Sequence, residues 1–240
     1  MATLVVAKPS SELIRKCIKD IELCLGSERF VLIGGGSMVL LGSVRTTRDV
    51  DILVSETEMP YVYPALLSAK NANFLTIDGK LYCAQGGVLI SLDILTAAVN
   101  TVTFEGVLPY TTTLETGVRV PRLDYSLAMK IKCFYLRGDD EHGQEKTYTD
   151  IEDVRYLTQL MTKRGEVISD ECAKVFQLSF LHMFLLREEV GPEVMRMLLA
   201  IGVRKLVLPW KLNSKDQQEY YQELVECPRD PFDDEYRQDE

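Results

Sequence analysis

The sequence predicts an α/β (α+β) protein, with a small mixed sheet in its N-terminal half and a helical C-terminal half. Strand-like and helical segments alternate up to about residue 120, glycines lie at a strand-to-helix junction, and beyond Pro121 the apolar residues keep helical spacing. We therefore expect an α/β core with an N-terminal helix over residues 1–121, a helical domain over residues 122–226, and an acidic flexible tail over residues 227–240.

Each N-terminal element is predicted from a local pattern. Residues 10–26 have apolar positions at helical spacing between a capping serine and a glycine, which indicates an amphipathic helix. Residues 30–34 form a short apolar run typical of a buried strand, and residues 37–41 predict a short helix. Residues 49–54 alternate acidic and apolar side chains before Val54, which indicates a strand with one functional and one buried face.

The remaining elements follow from spacing and turn residues. A helix is expected over residues 61–70, and the segments NFLTI, KLYCA and VLISLDIL predict a three-stranded antiparallel meander. Residues 101–122 are mixed, with short strands expected near Val107 and Val118. Helical spacing predicts four further helices, over residues 123–136, 148–162, 169–180 and 192–201. The charged run GDDEHGQEK between the first two of these predicts a solvated loop, with a mobile lid as the alternative.

The composition narrows the class of protein. An apolar share of 46% and a charged share of 26% are ordinary for a soluble globular protein, and no apolar stretch reaches the roughly 20 residues of a membrane helix. The N-terminus lacks the pattern of a secretory signal, so we expect a cytoplasmic protein without membrane partners. The six cysteines form no CxxC pair, which favours reduced thiols over a zinc site. The net charge of -9 argues against generic nucleic-acid binding.

Three aspartates are the candidate catalytic and metal-binding residues. Successive side chains of a strand point to opposite faces, so Asp49 and Asp51 project together while Val50 faces the core. Two carboxylates in one small space repel each other, and a hard divalent cation, Mg²⁺ or Mn²⁺, relieves both. Asp93 on a neighbouring predicted strand supplies a third carboxylate, which allows two-metal phosphoryl or nucleotidyl transfer.

Gly35, Gly36 and Ser37 are candidate nucleotide-binding residues. Glycines allow close approach of the backbone to a ligand, and the following helix offers unpaired N–H groups to phosphate oxygens. The serine adds a hydroxyl donor. The alternative is that the strand-to-helix turn uses glycine for steric reasons alone.

The run GGSMVLLGSVRTTRDVDILV resembles the signature of the polymerase-beta-like nucleotidyltransferase superfamily. More narrowly, the segment from Arg45 to Asp51 resembles the R-x-[ST]-x-D-x-D form of the abortive-infection (AbiEii-like) nucleotidyltransferase toxins and their uncharacterised relatives. Lys130, Arg137 and the segment Thr149-Asp150-Ile151-Glu152-Asp153 are similar to that family's helix lysine, arginine and Lys-Asp-x-x-Asp segment. Thr149 departs from the family lysine, although Lys146 lies nearby.

The resemblance implies a role for each candidate residue. Gly36 and Ser37, beside Gly35, would hold the triphosphate, and Lys130 would contact phosphate. The residues implied to bind metal are Asp49 and Asp51, with Asp93 helping to activate an acceptor hydroxyl. Arg45 and Arg48 would neutralise charge on the leaving pyrophosphate, or lie in a solvated loop. Asp150 and Asp153 carry a competing interpretation, in which one of them caps a helix.

These observations favour a metal-dependent nucleotidyltransferase that moves an NMP group from an NTP to an unidentified hydroxyl acceptor, which is an RNA end, a protein or a small molecule. The family resemblance is also consistent with a tRNA acceptor, on the condition that one basic patch is formed by Arg45, Arg48, Arg119, Arg122, Lys130 and Lys132. The alternative is a non-catalytic nucleotide- or partner-binding module that retains the fold, with Thr149 as a sign of drift. A metal-dependent phosphohydrolase is the third hypothesis.

Overall fold

A computed structural model of the 240-residue chain describes residues 8–68, 73–98, 102–138, 140–176, 178–185, 190–203 and 206. The expected acidic tail and the last two residues of the predicted helix over residues 61–70 lie outside this part of the chain. No helix in the described part combines the length and the apolar character needed to cross a membrane.

A five-stranded mixed sheet forms the centre of the N-terminal half, in the order β1-β2-β5-β4-β3. Its strands are β1 (Phe30–Ile33), β2 (Asp49–Val54), β3 (Phe74–Ile77), β4 (Lys80–Gln85) and β5 (Val88–Leu95). Strands β2 and β5 run parallel, and the other neighbouring pairs are antiparallel. The predicted meander and the mixed sheet are confirmed. The parallel pair matters most for the site, because it sets Asp51 directly opposite Asp93.

Three helices cover this sheet: α1 (Ser11–Leu25), α2 (Gly34–Leu40) and α3 (Met59–Leu67). The hydroxyl of Ser10 caps α1 by accepting a hydrogen bond from the Leu13 amide, and Gly26 ends the helix at a positive φ. Helix α2 begins three residues earlier than predicted, at Gly34. A single residue with a φ of +61° makes the turn from β1 into α2, so the other two glycines lie inside the helix.

The segment between the sheet and the C-terminal helices differs from the prediction. Residues near Val107 form a short helix, α4 (Phe104–Val107), followed by a 3-10 turn over Leu108–Tyr110, so the strand expected there is wrong. The Thr103 hydroxyl caps α4 by accepting from the Gly106 amide. This cap favours a helix where the apolar residues alone predict a strand. Two small hairpins complete the segment: β6 (Ala97–Ala98) with β7 (Val102–Thr103), and β8 (Thr111–Thr113) with β9 (Arg119–Pro121).

The described C-terminal half contains five α-helices: α5 (Leu123–Tyr135), α6 (Glu141–Arg164), α7 (Asp170–Ala173), α8 (Leu178–Leu185) and α9 (Gly191–Leu198). A short π-helical segment, Leu199–Val203, follows α9. The solvated loop predicted for GDDEHGQEK is mostly wrong, because α6 takes up this run from Glu141 onward. The carboxylate of Asp140 caps α6 by accepting from the Gly143 amide at 2.6 Å. The single helix expected over residues 169–180 is replaced by α7 and the start of α8.

Buried apolar side chains from both halves form one contiguous cluster, which includes Phe30 and Ile52 of the sheet and Leu127 and Leu157 of the helices. Helix α5 packs along α6 and also contacts α8. The site described next lies where α5 and α6 face the sheet. The division into two domains at residue 121 stays a prediction.

Candidate active site

Asp49, Asp51 and Asp93 form a carboxylate triad at the junction of β2 and β5. One carboxylate oxygen from each residue lies within 4.8 Å of those of the other two. Alternation along β2 places its two aspartates on one face, and the parallel register brings the third beside them. The expected grouping of these three side chains is thus present. Oxygen donors at this spacing suit a hard divalent cation.

The triad has the electrostatic character of a cation site. Burial, together with the neighbouring carboxylates of Asp49 and Asp93, raises the pKa of Asp51 to about 7. Burial and the charge of Asp49 also raise the pKa of Asp93. Two of the three carboxyl groups therefore have a pKa above that of an isolated aspartate, and a bound cation would favour the ionised form of both.

Asp49 is held in its charged form by two partners. The Thr47 hydroxyl donates to the Asp49 Oδ1 at 2.6 Å, and the Lys146 ammonium lies 3.6 Å from Oδ2. Burial opposes ionisation of this group, but the hydrogen bond and the lysine outweigh it and lower the pKa of Asp49. The triad thus combines one carboxyl group with a lowered pKa and two with raised pKa values.

The glycine-rich start of α2 has clear steric reasons for its composition. A Cβ on Gly34 would collide with the carboxylate of Asp51, and one on Gly35 would lie 2.6 Å from the Thr47 Cβ. A Cβ on Gly36 would point into the core, 3.1 Å from a methyl group of Leu32. These glycines let α2 pack against β2, which carries Asp49 and Asp51, and against the loop before it. The nucleotide-binding role expected of them stays a prediction.

Ser37 lies on the cavity side of α2 but is largely buried. Its hydroxyl donates to the Gly34 carbonyl at 2.8 Å, within the first turn of the helix. A phosphate at this position would have to compete with the Gly34 carbonyl for the hydrogen bond from the Ser37 hydroxyl.

A charged cluster faces the triad, and its members come from the loop before β2, from α5 and α6, and from the segment between these two helices. It consists of three cations, Arg45, Lys130 and Arg137, and two carboxylates, Asp150 and Asp153. Both carboxylates are only 1% exposed and lie in the middle of α6. The interpretation of either one as a helix cap is therefore wrong, because α6 begins at Glu141, well before them.

The other basic residues do not join this cluster as one patch. Arg48 is exposed and lies 3.8 Å from Glu145. Arg119 donates to the Glu28 carbonyl, Arg122 pairs with Asp124 and Glu171, and Lys132 is buried. Of the six residues required for a tRNA-binding patch, Arg45, Arg48 and Lys130 line the cavity described next, and the other three lie outside its lining.

A cavity of about 640 Å³ opens in front of the triad. This volume is within the range of small-molecule sites in proteins. Its charged wall includes Arg45, Arg48, Asp49, Asp51, Lys130, Arg137 and Lys146. Its apolar wall includes Leu53, Leu95, Val107, Tyr125 and Met129. Asp93 is exposed and lies outside the lining, so the triad has one side toward the cavity and one toward solvent.

The architecture is shared with a solved structure. The chain is similar to an antigenic nucleotidyltransferase-like protein from Paracoccidioides brasiliensis, with a TM-score of 0.54 and 20% identity over 81% of this chain and 95% of that chain. This chain has a nucleotidyltransferase-like fold. No family model and no curated protein matches the sequence. At this identity the similarity concerns the fold, and the chemistry must be argued from the site.

Two residues of the site, Thr47 and Lys146, have no role that the sequence alone predicts. Thr47 could have been found, because it lies two residues before Asp49 and matches the [ST] position of the motif. From the sequence, Lys146 is identified only as a neighbour of Thr149, because the charged run that ends with it predicts a loop. Once α6 is known to include it, Lys146 lies one helical turn before Asp150 and on the same face.

Proposed function

We propose that this protein is a metal-dependent nucleotidyltransferase, which moves an NMP group from an NTP to a hydroxyl acceptor. The observation that carries the proposal is the carboxylate triad of Asp49, Asp51 and Asp93 beside a cavity with a cationic wall. Mg²⁺ or Mn²⁺ held by the triad would supply Lewis-acid stabilisation of the phosphate oxygens.

The two sides of the triad support a division of labour between substrates. The cavity side, with Asp49 and Asp51, is large enough for a nucleotide and has cations for its phosphates. The solvent side presents Asp93, whose raised pKa suits a group that accepts a proton. We therefore assign the NTP to the cavity and the acceptor hydroxyl to the solvent side, next to Asp93.

The reaction follows from this arrangement. The acceptor oxygen attacks the α-phosphorus and forms a new P–O bond, while the bond to the bridging oxygen between the α- and β-phosphorus breaks. Pyrophosphate leaves with that electron pair, and the acceptor proton passes to the Asp93 carboxylate. Arg45, Lys130 and Arg137 stabilise the charge that develops on the leaving group.

The narrower assignment, to the AbiEii-like nucleotidyltransferases, is also part of the proposal. It is supported by the residues of the two sequence motifs, from Arg45 to Asp51 and from Lys130 to Asp153, which meet around one cavity. The Lys146 ammonium near Asp49 supplies a positive charge in the place of the lysine that Thr149 replaces. The dispersed positions of Arg119, Arg122 and Lys132 favour a small-molecule or protein acceptor over tRNA.

The test is a product analysis with NTPs labelled at the α-phosphate, in the presence of Mg²⁺ or Mn²⁺ and of small-molecule, protein and RNA acceptors. Nucleotidyl transfer gives pyrophosphate and a labelled acceptor. A phosphohydrolase gives free phosphate or nucleotide, and a non-catalytic binding module gives neither product. Asp49→Asn is the control variant, and it should lose both transfer products.

A further inference from the structure

We propose that Asp150 and Asp153 are positioning residues, which hold Arg45, Lys130 and Arg137 along the cavity wall in the arrangement that receives the phosphate chain of an NTP. The inference rests on the proposed function. It adds to that function the residues that make the site prefer a triphosphate over a monophosphate.

The contacts within the charged cluster use all four carboxylate oxygens. Asp150 accepts from Lys130 at 3.1 Å through Oδ1 and from Arg137 at 2.9 Å through Oδ2. Asp153 accepts from Arg45 Nε at 2.7 Å through Oδ1, and its Oδ2 lies 2.9 Å from Arg45 Nη2 and 2.8 Å from Lys130 Nζ. Lys130 bridges the two carboxylates, so the three cations are tied into one unit.

The charges of this unit do not cancel. Three cations against two carboxylates leave one surplus positive charge, and Arg45, Lys130 and Arg137 all line the cavity. Burial disfavours the charged form of Lys130, but the nearby Asp153 and Asp150 outweigh it and raise the pKa of the lysine. The lysine therefore stays cationic although its side chain is only 13% exposed.

Folding alone does not account for two buried carboxylates at this place. Buried ion pairs stabilise a fold little or not at all relative to apolar residues of similar size. Positions 150 and 153 lie on the buried face of α6, next to Ile151 and Val154 of the apolar core. Carboxylates there instead fix the direction of three long and otherwise mobile side chains, which a polyphosphate site requires.

The experiment compares Asp150→Asn and Asp153→Asn with the wild type, since asparagine keeps the shape and removes the charge. Asp124→Asn is the matched control, because Asp124 is also buried and hydrogen-bonded, to Ser169, but lies outside the cavity lining. Affinities for the four NTPs and the four NMPs are measured by calorimetry with Mg²⁺, and folding is checked by the melting temperature.

We expect NTP affinity to fall about tenfold or more in both cluster variants, as for other residues that orient ligand-binding groups, while NMP affinity stays within about threefold. The control should keep both affinities. Unchanged NTP affinity in folded cluster variants, or an equal loss of NTP and NMP affinity, would overturn the inference. No NTP binding by the wild type would instead overturn the proposed function and this inference with it.

A second measurement needs neither variant to fold. Reductive methylation of the wild-type protein, followed by mass spectrometry, compares Lys130 with Lys19, whose side chain is 59% exposed. Lys130 should react at least about tenfold more slowly, because two buried carboxylates hold its ammonium group. Equal rates for the two lysines would overturn the inference even if NTP binds.

Discussion

At the scale of single residues, the three carboxyl groups of the triad differ in how readily they ionise. Asp49 is kept ionised by the Thr47 hydroxyl and the Lys146 ammonium, whereas Asp51 has a pKa of about 7. A proton and a divalent cation therefore compete for Asp51 near neutral pH.

This competition predicts pH-dependent metal binding. Below pH 7 the carboxyl group of Asp51 is protonated and is a poor ligand, so metal affinity is present at high pH and is lost as the pH falls through 7. We expect the apparent Mn²⁺ affinity to be about tenfold weaker at pH 6 than at pH 8, as measured by electron paramagnetic resonance of free Mn²⁺. Asp78→Asn, which changes an exposed carboxylate outside the site, should keep this dependence. Equal affinities at the two pH values would contradict the assignment.

Asp93 has a separable role. Asp93 lies on the solvent side of the triad, and Asp49 and Asp51 on the cavity side remain to hold the cation. Asp93→Asn should therefore keep NTP binding within a few fold, while the rate of transfer falls by about 10²–10⁴, the usual contribution of a general base. Calorimetry and pyrophosphate release measure the two effects on one preparation. An Asp93→Asn variant that transfers at the wild-type rate would remove Asp93 from the mechanism.

At the scale of elements, the turn from β1 into α2 places a helix start against Asp51. Gly34→Ala should lower the free energy of unfolding by about 1 kcal/mol because of its positive φ, and should also displace the carboxylate it would meet. Gly79→Ala is the matched control, since Gly79 has a φ of +77° but open space at its Cβ. Both variants should lose stability in chemical denaturation, and only Gly34→Ala should lose Mn²⁺ affinity. Full Mn²⁺ affinity in Gly34→Ala would be incompatible with this packing.

The N-terminal cap of α6 is the second feature at this scale. Asp140→Ala should cost about 1 kcal/mol of stability, as should Ser10→Ala at the cap of α1. Only the loss at α6 should speed amide hydrogen exchange in the first turns of that helix, which carry Lys146 beside Asp49. Equal exchange in these turns for both variants would argue that the Asp140 cap does not order them.

The sequence predicts some elements well and others poorly, for physical reasons. Strands β1 to β5 and helix α5 have clear periodicity, and strand alternation was sufficient to group Asp49 with Asp51. The start of α6 is not predicted because the charged, glycine-containing run there has no apolar face. The hydrogen bond by which Asp140 caps this helix is visible only in the structure. The short helix at Val107 depends on the Thr103 cap, which an apolar pattern does not reveal. The sequence does not predict the parallel register that sets Asp51 beside Asp93, because this register depends on how β2 and β5 pair in the folded sheet.

At the scale of the whole molecule, one cavity lies between the sheet and the helices α5 and α6. Its charged wall combines residues of the loop before β2 with residues of both helices, so the site exists only when the two halves are packed together. The fold is nucleotidyltransferase-like, and the charges at this junction are what make nucleotidyl transfer the best-supported chemistry.

We propose that NTP binds in this cavity together with a divalent cation held by the triad. The most direct test is calorimetric titration of the four NTPs, with Mg²⁺, with Mn²⁺ and with chelator, into the wild type and into Asp49→Asn/Asp51→Asn. We expect NTP binding that requires the cation and is lost in the folded double variant. NTP binding of equal strength with chelator or in that variant, or no binding by the wild type, would contradict it.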